Sequence, residues 1–215
     1  MLAPVIAIDG PAAAGKGTVA RLLAEMLHFH YLDSGKIYRA AAVAALARGL
    51  SPDDETAMGE LAARLAADGI SSDAGTERPE AGAAASRLAR IPAVRAALLP
   101  LQRRMRRPPG LVADGRDMGT VVFADAELKI FLTADLQIRA ERRRRQLRQK
   151  GIRATMASVL DDLRQRDRQD RVRAGSPLVA AADARAADSS RRPAEEIARE
   201  LAAQFTAARG VHFQQ

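Results

Sequence analysis

Val5-Ile6-Ala7-Ile8-Asp9-Gly10-Pro11-Ala12-Ala13-Ala14-Gly15-Lys16-Gly17-Thr18 is the stretch that decides the fold. The apolar run reads as a buried strand, the glycine-bounded segment after it as a loop, and Lys-Gly-Thr as the start of a helix that continues Val19-Ala20-Arg21-Leu22-Leu23. That is the layout of a phosphate-binding P-loop. Successive backbone N–H groups in such a loop face one point, and the following helix adds its positive end, so an anion meets several donors at once. Lys16 then reaches the outer phosphates of a nucleoside triphosphate. A dinucleotide fold fits less well: it requires Gly-x-Gly-x-x-Gly, whereas here four residues separate Gly10 from Gly15 and a lysine follows the second glycine.

Bulk properties suit a single unit around that strand. The 215 residues, 47% of them hydrophobic, can bury one sizeable core. The lack of cysteine removes disulfides and thiolate metal sites and fits a reducing compartment. No basic segment precedes the first apolar run, and stretches such as Ala40–Ala47 are too short to span a bilayer, so a cytoplasmic protein without membrane contact is expected. The formal charge is +8; of 34 basic residues, lysine supplies only Lys16, Lys36, Lys129 and Lys150, and all others are arginine. Arginine is the side chain best shaped for a two-pronged grip on phosphate, although more than half of them serve a solvated surface. Aromatics amount to only 3%, which leaves little for base stacking, so small polyanions rather than nucleic acids are the expected partners.

Strand and helix signals alternate along the chain. Pro4–Asp9, Phe29–Leu32, Leu111–Asp114 and Leu128–Leu132 read as strands, and Lys16–His28, Ser34–Arg48, Gln137–Gln149 and Met156–Arg171 as helices. A last helix is predicted from Pro193, with Glu195 and Glu196 at its positive end and Ile197, Leu201 and Phe205 at four-residue spacing. Such alternation predicts a parallel sheet with helices on both faces. The fifth strand is sought in Ala184–Asp188, where Arg185 weakens the signal. Gly69–Pro79 is polar and glycine-rich and reads as a mobile connection between the run Met58–Leu65 and the helical stretch Glu80–Arg90. Arg139–Arg173 reads as a basic helical hairpin turning near Lys150-Gly151, and Val211–Gln215 as a frayed end.

Three further clusters carry candidate chemistry. In Asp33-Ser34-Gly35-Lys36-Ile37-Tyr38-Arg39, Ser34 is placed to cap a helix while Arg39 projects one turn in, a second phosphate cradle. Read alone, the segment fits an ordinary helix start with a surface arginine better. Asp114-Gly115-Arg116-Asp117-Met118-Gly119-Thr120 follows the third strand, at the carboxyl end where open parallel sheets bind ligands. In Arg164–Arg173, positions 166, 170 and 173 share a helix face as Arg, Asp, Arg, a pattern that a solvated helix also shows.

These clusters resemble the nucleoside monophosphate kinases. Leu-Asp-Ser-Gly-x-Ile-Tyr-Arg and Asp-Gly-Arg-Asp-Met-Gly-Thr-Val-Val-Phe-x-Asp-Ala (Asp114–Ala126) are similar to bacterial cytidylate kinases in particular, and the likeness runs from Val5 to about Asp188. The resemblance implies an α/β, P-loop NTPase-type three-layer fold with a five-stranded parallel sheet, a reduced monophosphate-binding part and a helical lid. The matching boundaries are 1–35, 108–138 and 174–215 for the core, 36–107 for the monophosphate-binding part and 139–173 for the lid, all within one kinase domain.

The implied reaction is phosphorylation of CMP and dCMP by ATP with Mg²⁺, by a monomer acting on small molecules. Gly10, Pro11, Ala12, Ala13, Ala14, Gly15, Lys16, Gly17 and Thr18 match the ATP loop. Ser34, Arg39, Arg116 and Arg173 match residues holding the CMP phosphate, with Tyr38 beside them; Ser86, Arg95 and Asp117 match those reading cytosine; Arg166 and Asp170 match positions near the sugar and phosphates. Lys16, Arg116, Arg166 and Arg173 are the implied catalytic set. The sequence departs from the family in three places. Gly69–Pro79 is shorter than the small sheet usual there, Gln169 stands where an arginine is common, and Arg185 sits in the last strand. Gly17 occupies the usual Ser/Thr metal-ligand position, which leaves Thr18, Asp114 or bound water to assist Mg²⁺. Other acceptors, such as UMP, AMP or shikimate, remain open on the P-loop alone, as does a P-loop protein that binds RNA.

Overall fold

The computed structural model describes residues 2–51, 53–69, 75–76, 79–208 and 210. Its strands are β1 (Val5–Asp9), β2 (His30–Asp33), β3 (Leu111–Gly115), β4 (Leu128–Thr133) and β5 (Arg185–Asp188). Its helices are α1 (Lys16–Leu27), α2 (Ser34–Ala47), α3 (Glu55–Asp68), α4 (Pro79–Leu88), α5 (Pro92–Arg104), α6 (Leu136–Gln149), α7 (Met156–Arg171) and α8 (Ala194–Ala208). A π-helical turn at Met118–Val122, which the sequence did not suggest, lies between β3 and β4. The chain forms two compact units, Met1–Tyr31 with Arg107–Gln215, and Leu32–Arg106.

The sheet of the first unit has the order β2-β3-β1-β4-β5, and β1 pairs parallel with both β3 and β4, as β4 does with β5. Every residue of β1 and β3 is buried, which is why both read as continuous apolar runs without alternation. Register aligns their carboxyl ends, with Ile8 opposite Asp114 and Asp9 opposite Gly115. The P-loop and the segment after β3 therefore leave the sheet side by side. Beneath them, α1 presents Val19, Ala20, Leu23, Ala24 and Leu27 and α8 presents Ile197, Ala198, Leu201 and Phe205 to one cluster with Ile6, Ile8, Val112, Ile130 and Leu132. Phe29 closes its end against Phe205, ring centroids 5.5 Å apart and edge to face. Arg185 is tolerated in β5 because that edge strand is largely exposed and its guanidinium reaches Gln204 at 2.8 Å.

The second unit is built from α2 to α5, with α2 packed on α4 and α3 on α5. Its core is rich in alanine (Ala41, Ala42, Ala45, Ala62, Ala84, Ala85) around Met58, Leu61, Leu88, Val94 and Leu98. Small side chains let the helices approach closely: a Cβ on Gly59 would stand 2.9 Å from the Cβ of Ala93. Most of Gly69–Pro79, read as a mobile connection, lies outside the described residues, as does Val211–Gln215.

One detail corrects the sequence reading. Ser34 does not cap α2; Asp33 does, its Oδ1 accepting from the Lys36 amide at 2.9 Å while Oδ2 accepts from Arg39 at 2.9 Å. The carboxylate one residue earlier satisfies the helix amide and the arginine together, which leaves Ser34 as a buried first helical residue.

Leu23 is fully buried at the centre of the α1–α8 cluster. Leu23→Ala should destabilise the protein by about 2–5 kcal/mol, read as a lower urea midpoint with unchanged slope. A change within about 0.5 kcal/mol would show that this cluster does not hold the unit together.

Candidate active site

The loop between β1 and α1 is shaped by constraints that only certain residues meet. Gly10 has φ 151°, and a Cβ there would lie 2.0 Å from the Leu132 carbonyl oxygen, so the loop can leave β1 only through glycine. Gly15 takes a left-handed conformation to open α1, whose N-terminus has no side-chain cap and no acidic residue in its first turn. Its amides and positive dipole end are thus left for an external anion.

The loop's carbonyls are held from outside. Lys16 Nζ donates to Pro11 O at 2.9 Å, Arg139 Nη1 to Ala12 O at 3.1 Å, and Ser189 Oγ lies 2.8 Å from Ala14 O. In a planar trans peptide the next N–H points opposite to the carbonyl, so pinning these oxygens turns the amides of residues 12, 13 and 15 the other way. Arg139 and Ser189 reach in from α6 and from the end of β5. Arg139 grips Asp167 of α7 with two bonds of 3.1 and 2.6 Å and also donates to Ala134 O at 3.1 Å. Arg142 holds Ser189 through its hydroxyl at 2.9 Å and its carbonyl at 2.6 Å. The α6–α7 hairpin packs around Ala140, Leu147, Val159 and Leu163, with Ala12 and Ala13 of the loop against it.

At the end of β3 the charges alternate. Arg116 Nε donates to Asp170 Oδ2 at 2.9 Å, and Arg173 Nη1 stands 3.9 Å from Asp170 Oδ1, so one carboxylate sits between two guanidinium groups. Asp114 and Asp117 are buried beside them. Tyr31 donates its hydroxyl to Asp114 Oδ2 at 2.6 Å, and a Cβ on Gly17 would approach that hydroxyl to 3.3 Å and that carboxylate oxygen to 3.4 Å. Asp9 accepts the backbone amides of Met118 and Gly119, both at 2.8 Å.

Within the first unit, the geometry joins Lys16, Arg116, Asp170 and Arg173 into one electrostatic group. Arg166 does not join Asp170; its Nε pairs with Asp162 at 3.0 Å on the same helix. Arg173 does not continue the helix face, because α7 ends at Arg171 and the chain turns, burying Arg173 against the carbonyl and hydroxyl of Ser176. In the second unit, Arg95 donates to the Tyr38 hydroxyl at 3.3 Å and stacks over its ring, while Ser86 Oγ donates to Gly82 O at 3.1 Å within α4. Sequence reading gave no role to Asp9, Tyr31, Asp167 or Ser189. A charged residue ending a wholly apolar strand was the one available signal, and it pointed to Asp9.

Burial pulls the Lys16 ammonium down to about 7, with the Arg116 charge acting in the same direction and Asp114, Asp9 and Asp170 opposing. Burial also pushes Asp9 up to about 6 against the two amides that favour its ionised form, with Asp117 raising it further and Lys16 lowering it. The unfolded chain binds the Lys16 proton more tightly, so this residue makes stability rise as pH increases from about 7 towards the ordinary 10.5. Asp9 acts in the opposite sense, its contribution falling as pH rises from 3.8 through about 6.

A triphosphate beside Lys16 restores the ammonium. ATP binding at about pH 8 should therefore take up about one proton, measured calorimetrically in buffers of different ionisation enthalpy, and Lys16→Met should abolish the uptake. Buffer-independent binding enthalpy in the parent protein would contradict this placement of Lys16.

A model of the cytidylate kinase family matches residues 6–207. The cytidylate kinase of Methylococcus capsulatus is 52% identical over 208 residues, covering 90% of this chain and 93% of the relative. That of Bordetella bronchiseptica is 54% identical over 197 residues, covering 87% and 88%. Among solved structures, a gluconokinase from Sinorhizobium meliloti superposes with a TM-score of 0.50 at 15% identity, covering 96% of this chain and 93% of that one, a likeness of fold alone. Among the described residues, no helix is long and apolar enough to cross a membrane.

Proposed function

Because this chain belongs to the cytidylate kinase family, we propose that it transfers the γ-phosphate of ATP to CMP and dCMP, giving ADP and the pyrimidine diphosphate. The observation that carries the reading is the uncapped P-loop with cations gathered beside it. Lys16 is held on Pro11 O with Arg116 near enough to weaken its proton affinity, and Arg173 is buried on the far side of Asp170. Such a cluster is relieved by polyanions.

The physical problem of the reaction is repulsion. Two unit charges about 5 Å apart at an effective dielectric of about 20 repel by about 3 kcal/mol, and two nucleotides bring several such pairs together. Lys16 and the α1 amides hold the donor's phosphates. Arg116 and Arg173, with Ser34 and Arg39, hold the acceptor's phosphate, and Tyr38 supports them. Asp170 keeps Arg116 and Arg173 extended until phosphate oxygens compete for them. Arg166 needs only to release Asp162 on its own helix to turn towards the reacting phosphates as the hairpin, acting as lid, closes. Fixed cations supply most of the acceleration here, because the transition state spreads charge over the equatorial oxygens. No general base is required, since the attacking oxygen already carries charge. Closing over the site only when the acceptor is present suppresses transfer to water.

The residues fit a divalent cation. A hydroxyl-bearing side chain at position 17 would lie beside Asp114, so Gly17 leaves that carboxylate as the nearby hard-oxygen donor. Among the described residues no cluster of three or more ligating side chains exists, so nucleotide phosphates and water would have to complete the shell. When bound, Mg²⁺ would neutralise phosphate charge, with Asp114 or Thr18 holding it directly or through water.

Cytosine offers an exocyclic amine and ring acceptors. Asp117 suits the amine, Arg95 and Ser86 the acceptors, and uracil would turn a carbonyl towards the Asp117 anion. The enzyme acts as a cytoplasmic monomer on small molecules. With ATP as donor and ADP release as readout, CMP and dCMP should be accepted well ahead of UMP, AMP and shikimate. Asp117→Ala should erase most of the preference for CMP over UMP, at least about tenfold. Unchanged discrimination in that variant would remove Asp117 from base reading, and transfer to another acceptor ahead of CMP would overturn the assignment.

A further inference from the structure

Asp9 is the only acidic residue of β1 and ends it at the point where the P-loop begins. It is 5% exposed, and each carboxylate oxygen receives one backbone amide at 2.8 Å, Oδ1 from Met118 and Oδ2 from Gly119. Those amides open the π-helical turn directly after Arg116 and Asp117. The turn has no side-chain cap of its own. Register pairing fixes β3 against β1 only as far as Gly115, so beyond that residue Asp9 fastens the segment to β1.

The fit around this contact is close. A Cβ on Gly119 would lie 3.2 Å from the Lys129 side chain, and Asp9 Oδ2 would be in ordinary contact with it at 3.4 Å. The Lys129 ammonium is drawn away to Asp183 at 2.9 Å and does not neutralise Asp9. The charged groups that act on Asp9 are Asp117, which disfavours its ionised form, and Lys16, which favours it.

The geometry points to Asp9 as a positioning residue for the acceptor side: by gripping the amides of Met118 and Gly119 it sets where Arg116 and Asp117 stand relative to the phosphate loop grown from the same strand. The inference rests on the proposed roles of those two residues in holding CMP. Only an ionised carboxylate accepts both amides fully. An asparagine side chain turns an N–H₂ towards one of them and leaves a buried donor unpaired, and protonation of Asp9 weakens the same bond. The loss falls on the acceptor loop, whereas the donor loop keeps Lys16, Arg139 and Ser189 as its own anchors.

The test compares the parent with Asp9→Asn in steady-state transfer from ATP to CMP, fitting KM for each nucleotide between about pH 5 and about pH 8. At about pH 7.5 the variant should raise KM for CMP by about tenfold or more, with KM for ATP within about twofold. The variant-to-parent ratio for CMP should shrink towards one as pH falls through about 6, where Asp9 itself takes up a proton. The phosphate of CMP loses its second proton near pH 6 in both proteins, so it cancels in the ratio.

Equal changes in both KM values, an unchanged KM for CMP, or a ratio independent of pH would each overturn the inference. Should Asp9→Asn fail to fold, Asp9→Glu decides, since it keeps the charge but moves the carboxylate by one methylene: KM for CMP rises alone if the contact positions the loop, and stays at the parent value if it does not. A parent protein that transfers nothing to CMP would instead defeat the proposed function, an outcome distinct from any of these.

Discussion

A lysine ammonium kept out of water with another cation for a neighbour is the constraint on which the site depends. Lys16 is buried at the mouth of α1, and both desolvation and Arg116 weaken its hold on a proton. A chain of this size could have avoided the penalty by placing a carboxylate against the ammonium. Asp114, Asp9 and Asp170 act on it only at range, and its hydrogen bond goes to a backbone carbonyl. Desolvation outweighs those three carboxylates and weakens the ammonium, so phosphates arriving beside it relieve what folding imposed. The same logic applies to α1, whose uncapped N-terminus forgoes the roughly 1 kcal/mol a cap supplies.

Holding such a loop open requires rigid neighbours. Gly10 packs on Leu132 O with no room for a side chain, and three carbonyls of the loop are taken by Lys16, Arg139 and Ser189. Arg139 also carries the closest ion pair of the hairpin, with Asp167. Buried two-pronged pairs contribute little net stability over an apolar replacement, but breaking one by removing a single partner costs about 3–5 kcal/mol. That asymmetry suits a tie between the hairpin and the loop: it holds one arrangement without making the fold depend on a large favourable term. Arg166, by contrast, is bound to Asp162 of its own helix and can be redirected cheaply.

Local signals made the sheet and its order of elements legible. β1 and β3 are buried on both faces and so announce themselves as apolar runs, and α1 and α8 show their core stripe in plain spacing. Even β5 could be located, because an edge strand tolerates Arg185. The P-loop is legible because its chemistry is packed into consecutive residues. The remaining parts of the site are pairings between distant segments, which periodicity cannot reveal. Asp9 meets amides 109 and 110 residues away, Tyr31 meets Asp114 across 83, and Ser189 reaches Ala14 across 175. The cap of α2 was misplaced by one residue because Ser34 and Asp33 are both good capping types, and the choice turned on Arg39 also needing the Asp33 carboxylate. Helical spacing grouped Arg166 with Asp170 and Arg173, but it could not foresee that α7 stops at Arg171 or that Asp162 lies one turn back to take Arg166.

The central claim is that the buried Lys16 charge, set in a loop of inward-facing amides, is what holds the donor's phosphates for transfer. Following ³²P from the γ-position of ATP into CDP tests it most directly, in the parent and in Lys16→Met proteins of equal thermal stability. The account predicts label in CDP from the parent and a fall of about a thousandfold in the variant. Label appearing in CDP at the parental rate without Lys16 would contradict it.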